Sequence, residues 1–204
     1  MKKLLPAALL ACTLAVSLTA CDKMPGKPPG AAAAQTFQNT DITGIDYAKD
    51  FTLLDHTGKP RTLADFKGKV VVMFFGYTQC PDVCPTTMAE MAGVMQKLGP
   101  QADQVQVLFV TLDPERDTQE LLAAYVPAFD KRFIGLRGTR EQTAKVAKDF
   151  KVFYAKVPGK ESGSYTIDHT AGSYVFDRAG RPRLFIRHAG GADPIVHDIR
   201  QLLS

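Results

Sequence analysis

Cys80 and Cys84 stand four residues apart in the stretch Gly76-Tyr77-Thr78-Gln79-Cys80-Pro81-Asp82-Val83-Cys84-Pro85. An unbroken apolar run, Val70 to Phe75, comes before them, and Thr86 to Leu98 after them reads as a helix. Two thiols at the point where a buried strand passes into a helix have a specific chemistry open to them. The free N–H groups and positive dipole end of a helix N-terminus favour thiolate over thiol. If both thiols sit on the first helical turn, their Cβ atoms face one side roughly 5–6 Å apart. That spacing lets them share one metal ion, or close into a disulfide after a small adjustment. A structural disulfide or two inert buried thiols is the alternative without function.

The elements around the pair must position it. Phe51 to Leu54 followed by Asp55-His56-Thr57-Gly58-Lys59 reads as a strand and tight turn, and Thr62 to Phe66 as a short helical turn ending at Gly68. Val70 to Phe75 is too uniformly apolar for a half-exposed strand and is expected at the centre of a parallel sheet. The helix after the cysteines places Met88, Met91, Met95 and Leu98 on one face and stops at Gly99-Pro100. Those methionines fit a core face better than a copper site. Val105 to Leu112 is a second buried strand, with Asp113-Pro114-Glu115-Arg116-Asp117-Thr118 at its carboxyl end. Asp117 and Glu120 stand in capping-box register for a helix running to about Tyr125, and Thr139 with Gln142 repeats that pattern for a helix to Phe150. Phe133 to Leu136 and Val152 to Val157 are extended, and Gly159 to Ser164 is a loop. Tyr174 to Phe176 and Leu184 to Ile186 form a hairpin, and Asp193-Pro194 opens a terminal amphipathic helix. The order βαβ, helix, ββα predicts an α/β, thioredoxin-like three-layer sandwich with a central mixed sheet. In such sheets function gathers at the carboxyl ends of the strands, where Cys80, Cys84 and Asp113 fall.

A third group enters through that topology. Tyr165-Thr166-Ile167-Asp168-His169-Thr170 precedes the hairpin and is expected as a loop beside the cysteines, where thioredoxins carry a cis-proline. No proline lies between Pro158 and Pro182, so His169 is positioned to take that place. Two thiolates and one imidazole form a soft set suited to Cu(I), and with a further ligand to Cu(II). The loop 159–164 offers His169 a mobile arm. Asp113 is read either as an acceptor for His169, as part of a docking surface, or as ordinary Asp-Pro turn chemistry. His56, His188 and His197 read as solvated rather than liganding. A Cys₂His zinc centre matches by ligand type but lacks an adjacent general base. A peroxidase site fails because peroxiredoxins place a threonine three residues before the reactive cysteine, and Tyr77 and Pro81 occupy those positions here.

The chain has 204 residues, enough for one domain with a full core. Its formal charge is +4, and without residues 1–20, which hold Lys2 and Lys3, 23 basic residues face 21 acidic ones. That balance leaves no electrostatic footprint for nucleic acid. Lys2-Lys3 followed by apolar Leu4 to Val16 reads as a signal peptide over 1–20, too short for a spanning helix. Leu18-Thr19-Ala20-Cys21 resembles the lipobox of bacterial lipoproteins, which implies lipid on Cys21. Asp22 next to it resembles an inner-membrane retention signal. Residues 21–45, rich in Pro, Gly and Ala at first, read as a flexible tether, and 46–204 as the folded domain. Cys12 leaves with the signal, so only Cys80 and Cys84 remain for chemistry, in an oxidising compartment where a free dithiol needs a metal, a redox partner or a bridge.

Three stretches carry a family resemblance: Phe75 to Pro85, Thr111 to Thr118 and Asp168-His169-Thr170. In this order, across Phe51 to Leu203, they resemble the Sco/SenC family of copper-binding thioredoxin-fold proteins. The resemblance implies that Cys80, Cys84 and His169 ligate copper, Cu(I) and Cu(II), with Asp113 close by in a second shell. It implies a metallochaperone for the dinuclear copper centre of cytochrome c oxidase, with apo subunit II as partner and a second copper chaperone or a thiol–disulfide reductant as further partners. It also leaves open a thiol–disulfide oxidoreductase in which Cys80 and Cys84 are the catalytic pair. The expected location is extracytoplasmic, on a lipid anchor at the periplasmic face of the inner membrane.

Overall fold

A computed structural model describes residues 36–204. The signal segment, Cys21 and the tether up to residue 35 lie outside the described residues. The strands and helices in chain order are β1 (Thr40–Asp41), β2 (Leu53–Asp55), β3 (Pro60–Arg61), β4 (Val70–Gly76), α1 (Val83–Leu98), β5 (Val105–Thr111), α2 (Gln119–Tyr125), β6 (Ile134–Arg137), α3 (Arg140–Asp149), β7 (Tyr154–Pro158), β8 (Tyr165–His169), β9 (Gly172–Phe176), β10 (Pro182–Arg187) and α4 (Ala192–Leu203).

Eight strands form one mixed sheet in the order β1-β10-β9-β4-β5-β6-β2-β3. β4 pairs parallel with β5, β5 parallel with β6, and β9 antiparallel with β4. Every residue of β4 and β5 is buried, as their unbroken apolar runs require of strands covered on both faces. Alternate side chains therefore feed two cores. Val70, Val72 and Phe74 join α1 and α4 on one face, while Val71, Met73 and Phe75 join Val146, Ala147 and Phe150 of the α3 region on the other. The result is the expected thioredoxin-like three-layer α/β sandwich. Met88, Met91 and Met95 are fully buried core residues, as their helical spacing implied.

Several local expectations are corrected. The sheet begins at Thr40, where β1 pairs with β10, so the fold starts inside the stretch read as tether. Asp198 of α4 pins that stretch by accepting the backbone N–H groups of Gln38 (2.9 Å) and Asn39 (2.8 Å). α1 starts at Val83, not Thr86, because Pro85 needs no N–H partner in a first turn. Cys80 consequently lies ahead of the helix while Cys84 lies in it. Thr118, not Asp117, caps α2 by accepting from the Leu121 N–H. Gly191 precedes α4, with Asp193 inside its first turn. Tyr165–His169 is a strand, not a loop. It pairs only with β7, giving a two-stranded sheet that shares no ladder with the main one.

Candidate metal centre

The strand β4 delivers the chain to the thiols. Its last residue, Gly76, is a glycine because a Cβ there would stand 2.9 Å from Cys84 Sγ and 2.8 Å from the Phe74 ring. Cys84, on the first turn of α1, is wholly buried against the core, while Cys80 on the preceding turn is half-exposed. Both are free thiols, and the Cys84 N–H at the helix start donates to Cys80 Sγ (3.4 Å). The pair is thus asymmetric, one sulfur reachable and one enclosed. Burial pushes the Cys84 thiol well above its ordinary value, since a thiolate there would lose its water, and the neighbouring Cys80 adds to the shift. This opposes the thiolate expectation drawn from the helix dipole: at Cys84, desolvation outweighs it.

His169 closes the group from the end of β8. Its Nε2 lies 3.5 Å from Cys84 Sγ. Its Nδ1 lies 3.1 Å from the Thr170 carbonyl, which can only accept, so Nδ1 carries the proton and Nε2 presents its lone pair to the sulfurs. Burial holds the imidazole below its usual pKa, which favours the neutral, ligating form. The ring packs edge-on against Phe74 and Tyr77, each 6.1 Å away between centroids. Sγ of Cys80, Sγ of Cys84 and a ring nitrogen of His169 all fall within 4.8 Å of one another, and among the described residues no other such trio of His, Cys, Asp or Glu occurs. One ion about 2.0–2.3 Å from each donor fits that spacing with small adjustments. Cys80 and His169 line a cleft of about 550 Å³ whose wall includes the exposed Phe153, and Cys84 is enclosed behind them.

The other candidates fall elsewhere. Asp113 makes no hydrogen bond to His169, which is already served by Thr170; it accepts from the Tyr165 hydroxyl (2.9 Å) and from Arg116 Nε. The remaining histidines are half-buried and partnered rather than solvated. His56 Nδ1 accepts from the Gly135 N–H, His188 meets Thr87 and His197 meets Asp198. The 159–164 loop is the closed tip of the β7–β8 hairpin, whereas His169 is at its base opposite Tyr154, so the loop is no arm for the histidine. The sequence reading missed Asp117, Arg116 and Tyr165. Asp117 was hidden because Asp and Thr in succession both suit a helix cap.

Comparison with known proteins now bears on this geometry. The family model described as SCO1/SenC matches residues 39–204. The chain belongs to the SCO1/SenC family. A mouse relative, "Protein SCO2 homolog, mitochondrial", is 40% identical over 157 residues, covering 76% of this chain and 62% of the relative. The chain thus spans less than two thirds of that relative's length. Among solved structures, Bradyrhizobium japonicum ScoI with copper bound is 40% identical, with a TM-score of 0.70 over 76% of this chain and 98% of that one. The apo Sco1 of Thermus thermophilus is 40% identical, with a TM-score of 0.74 over 84% of this chain and all of that one. No described helix is long and apolar enough to cross a membrane.

Proposed function

We propose that this SCO1/SenC protein is a copper metallochaperone that holds Cu(I) or Cu(II) between Cys80, Cys84 and His169. It passes the metal to the dinuclear copper site of apo cytochrome c oxidase subunit II. The observation that carries the reading is the convergence of two sulfurs and one imidazole nitrogen within 4.8 Å, beside a cleft that Cys80 and His169 line. The donor set is soft and small, which suits Cu(I). Copper bound in a relative 40% identical supports the same cargo here. The asymmetry of the thiols gives an order to capture and release. Cys80, half-exposed, meets the incoming or departing ion first, and its sulfur is the one a partner's thiolate displaces. The sulfurs bind copper as thiolates, and a disulfide offers none, so a Cys80–Cys84 bridge and copper exclude each other. The lipidated Cys21 and the tether that follows it keep the domain at the periplasmic face of the inner membrane.

A second reading follows from the same asymmetry. A reachable thiol backed by a buried one is the arrangement of a thiol–disulfide exchanger: Cys80 attacks a partner disulfide and Cys84 resolves the mixed disulfide. The readings separate by mutation. Copper titration of the reduced domain should give one equivalent bound by wild type, weaker binding by His169→Ala, and loss with Cys80→Ser. Equal tight binding by wild type and His169→Ala rejects the copper assignment as drawn. Reduction of the subunit II disulfide that survives His169→Ala and disappears with Cys80→Ser supports the exchanger.

A further inference from the structure

The hairpin β7–β8 has no ladder to the main sheet; its base is joined to that sheet through β9, which opens at Gly172 and pairs Ser173 with Phe74 of β4, whereas the start of β8 at Tyr165 lies at the opposite end of the strand. Burial of Ile167, whose N–H donates to the Tyr77 hydroxyl (3.2 Å), presses the middle of β8 onto the core. Beside that bond to Tyr77, the turn between β5 and α2 joins the thiol loop to the start of β8. The turn is internally fixed. The Arg116 and Asp117 N–H groups close onto the Asp113 carbonyl, and Arg137 of β6 donates to the carbonyls of Pro114 and Asp117, 3.0 Å each.

Two side chains carry this turn to its neighbours, Asp117 to the thiol loop and Arg116 to both that loop and β8. Asp117, fully buried, accepts from the Thr78 N–H (3.1 Å), the Thr78 hydroxyl (2.6 Å) and the Thr111 hydroxyl (2.5 Å), and so holds the loop that carries Cys80. Arg116 Nη1 donates to the Tyr165 carbonyl at the start of β8 (2.9 Å) and to Gln79 Oε1 beside Cys80 (3.1 Å). Its guanidinium lies 3.6 Å from the Tyr165 ring centroid, and Asp113 braces both partners, accepting from Arg116 Nε and the Tyr165 hydroxyl. Arg116 Nη2 remains buried without a partner, so the strength lies in these directed bonds and the stack.

We propose that the turn 113–118 is a bracket that sets the separation of the thiols from the imidazole, with Asp117 and Arg116 as positioning residues. The bracket rests on the copper reading for its purpose, but it has a readout that needs no metal. In reduced, copper-free protein, nuclear Overhauser contact between the His169 ring and the Cys84 β protons reports the separation. Arg116→Met keeps the apolar stem and removes the donors. It is expected to weaken that contact, to lower copper affinity about 10–100-fold as loss of an outer partner does, and to shift the Cu(II) spectrum toward that of His169→Ala. Arg116→Lys, with one donor in reach of the Tyr165 carbonyl, should restore part of the contact. An undiminished contact with wild-type affinity in Arg116→Met overturns the bracket. If Arg116→Met does not fold, Gln79→Ala and Tyr165→Phe each cut one strap, and unchanged contact in both overturns it equally. Failure of the copper reading looks different: wild type then shows the contact and binds no copper.

Discussion

The two halves of the candidate metal centre are held in place by different physics. The thiols stand at the end of β4, a strand buried along its whole length, and Cys84 is packed into the core. The imidazole stands on a two-stranded hairpin whose β7 is mostly exposed, and which the polar turn 113–118 ties to the thiol loop. Core packing tolerates little change in volume and fixes position through many weak contacts. A polar bracket fixes position through a few directed bonds and yields when one is removed. Under the proposed function, in which the site both grips an ion and gives it up, this division is an advantage. Stability can change without moving the histidine, and the histidine can move without unfolding the core.

The contrast is sharpest between two phenylalanines. Phe109 of β5 is fully buried beneath the thiols, whereas Phe153 beside the cleft is 65% exposed. Phe109→Ala should cost about 3–5 kcal/mol, read as a fall in the urea midpoint at constant slope. Phe153→Ala should stay within about 0.5 kcal/mol. Equal losses would mean that the hairpin side is as firmly packed as the sheet. A smaller effect is expected at the junction. Gly76→Ala drives a methyl against Cys84 Sγ and the rings of Phe74 and Phe109, and overpacking of this kind costs about 1–3 kcal/mol. It should also displace Cys84 and weaken copper binding. Unchanged affinity would show that the thiol side adjusts more freely than its burial implies.

How much of this was legible in the sequence follows the same division. The buried strands, the methionine face of α1 and the capping box at Thr139 and Gln142 are local patterns, and each appears where its residues imply. The trio Cys80, Cys84 and His169 was legible through the fold, because topology brings a late segment to an early one. The bracket was not. Arg116 to Tyr165 and Asp117 to Thr78 are contacts between distant segments, made by side chains whose local surroundings already offered them ordinary work. The start of the fold was missed for the same reason. Gln38 and Asn39 lie among polar residues with no periodicity, and what orders them is a carboxylate at the other end of the chain, Asp198.

That carboxylate gives the third test. Burial alone would raise the Asp198 pKa, but the N–H groups of Gln38 and Asn39, the Asn39 amide and His197 together hold it below the usual range. A folded pKa depressed below the unfolded value of about 3.9 contributes stability that is complete above that pH and lost as pH falls through it toward the folded value. Asp198→Asn keeps an acceptor but not the charge, so it should cost about 1–1.5 kcal/mol at pH 7. Urea midpoints of variant and wild type should then converge on acidification below about pH 4. A gap that widens in acid would reverse the assigned sign.

The smallest effect is expected at the hairpin tip, and it separates the two ideas of how His169 moves. β7 and β8 pair from Pro158 opposite Tyr165 at the tip to Tyr154 opposite His169 at the base. The Gly159 N–H donates to the Ser164 carbonyl and closes the turn at the tip. Lengthening that turn by two glycines after Glu161 adds little closure entropy, below about 0.6 kcal/mol, and should leave copper affinity unchanged within about twofold. The strain or slack it introduces is released into solvent at the far end of the ladder from the imidazole. If the histidine instead rode on a mobile arm at 159–164, the same insertion would change affinity and transfer rate well beyond that margin. β8 is gripped at its start through Tyr165 and runs at its end into β9, so slack added beyond Tyr165 spares the histidine's place beside the thiols.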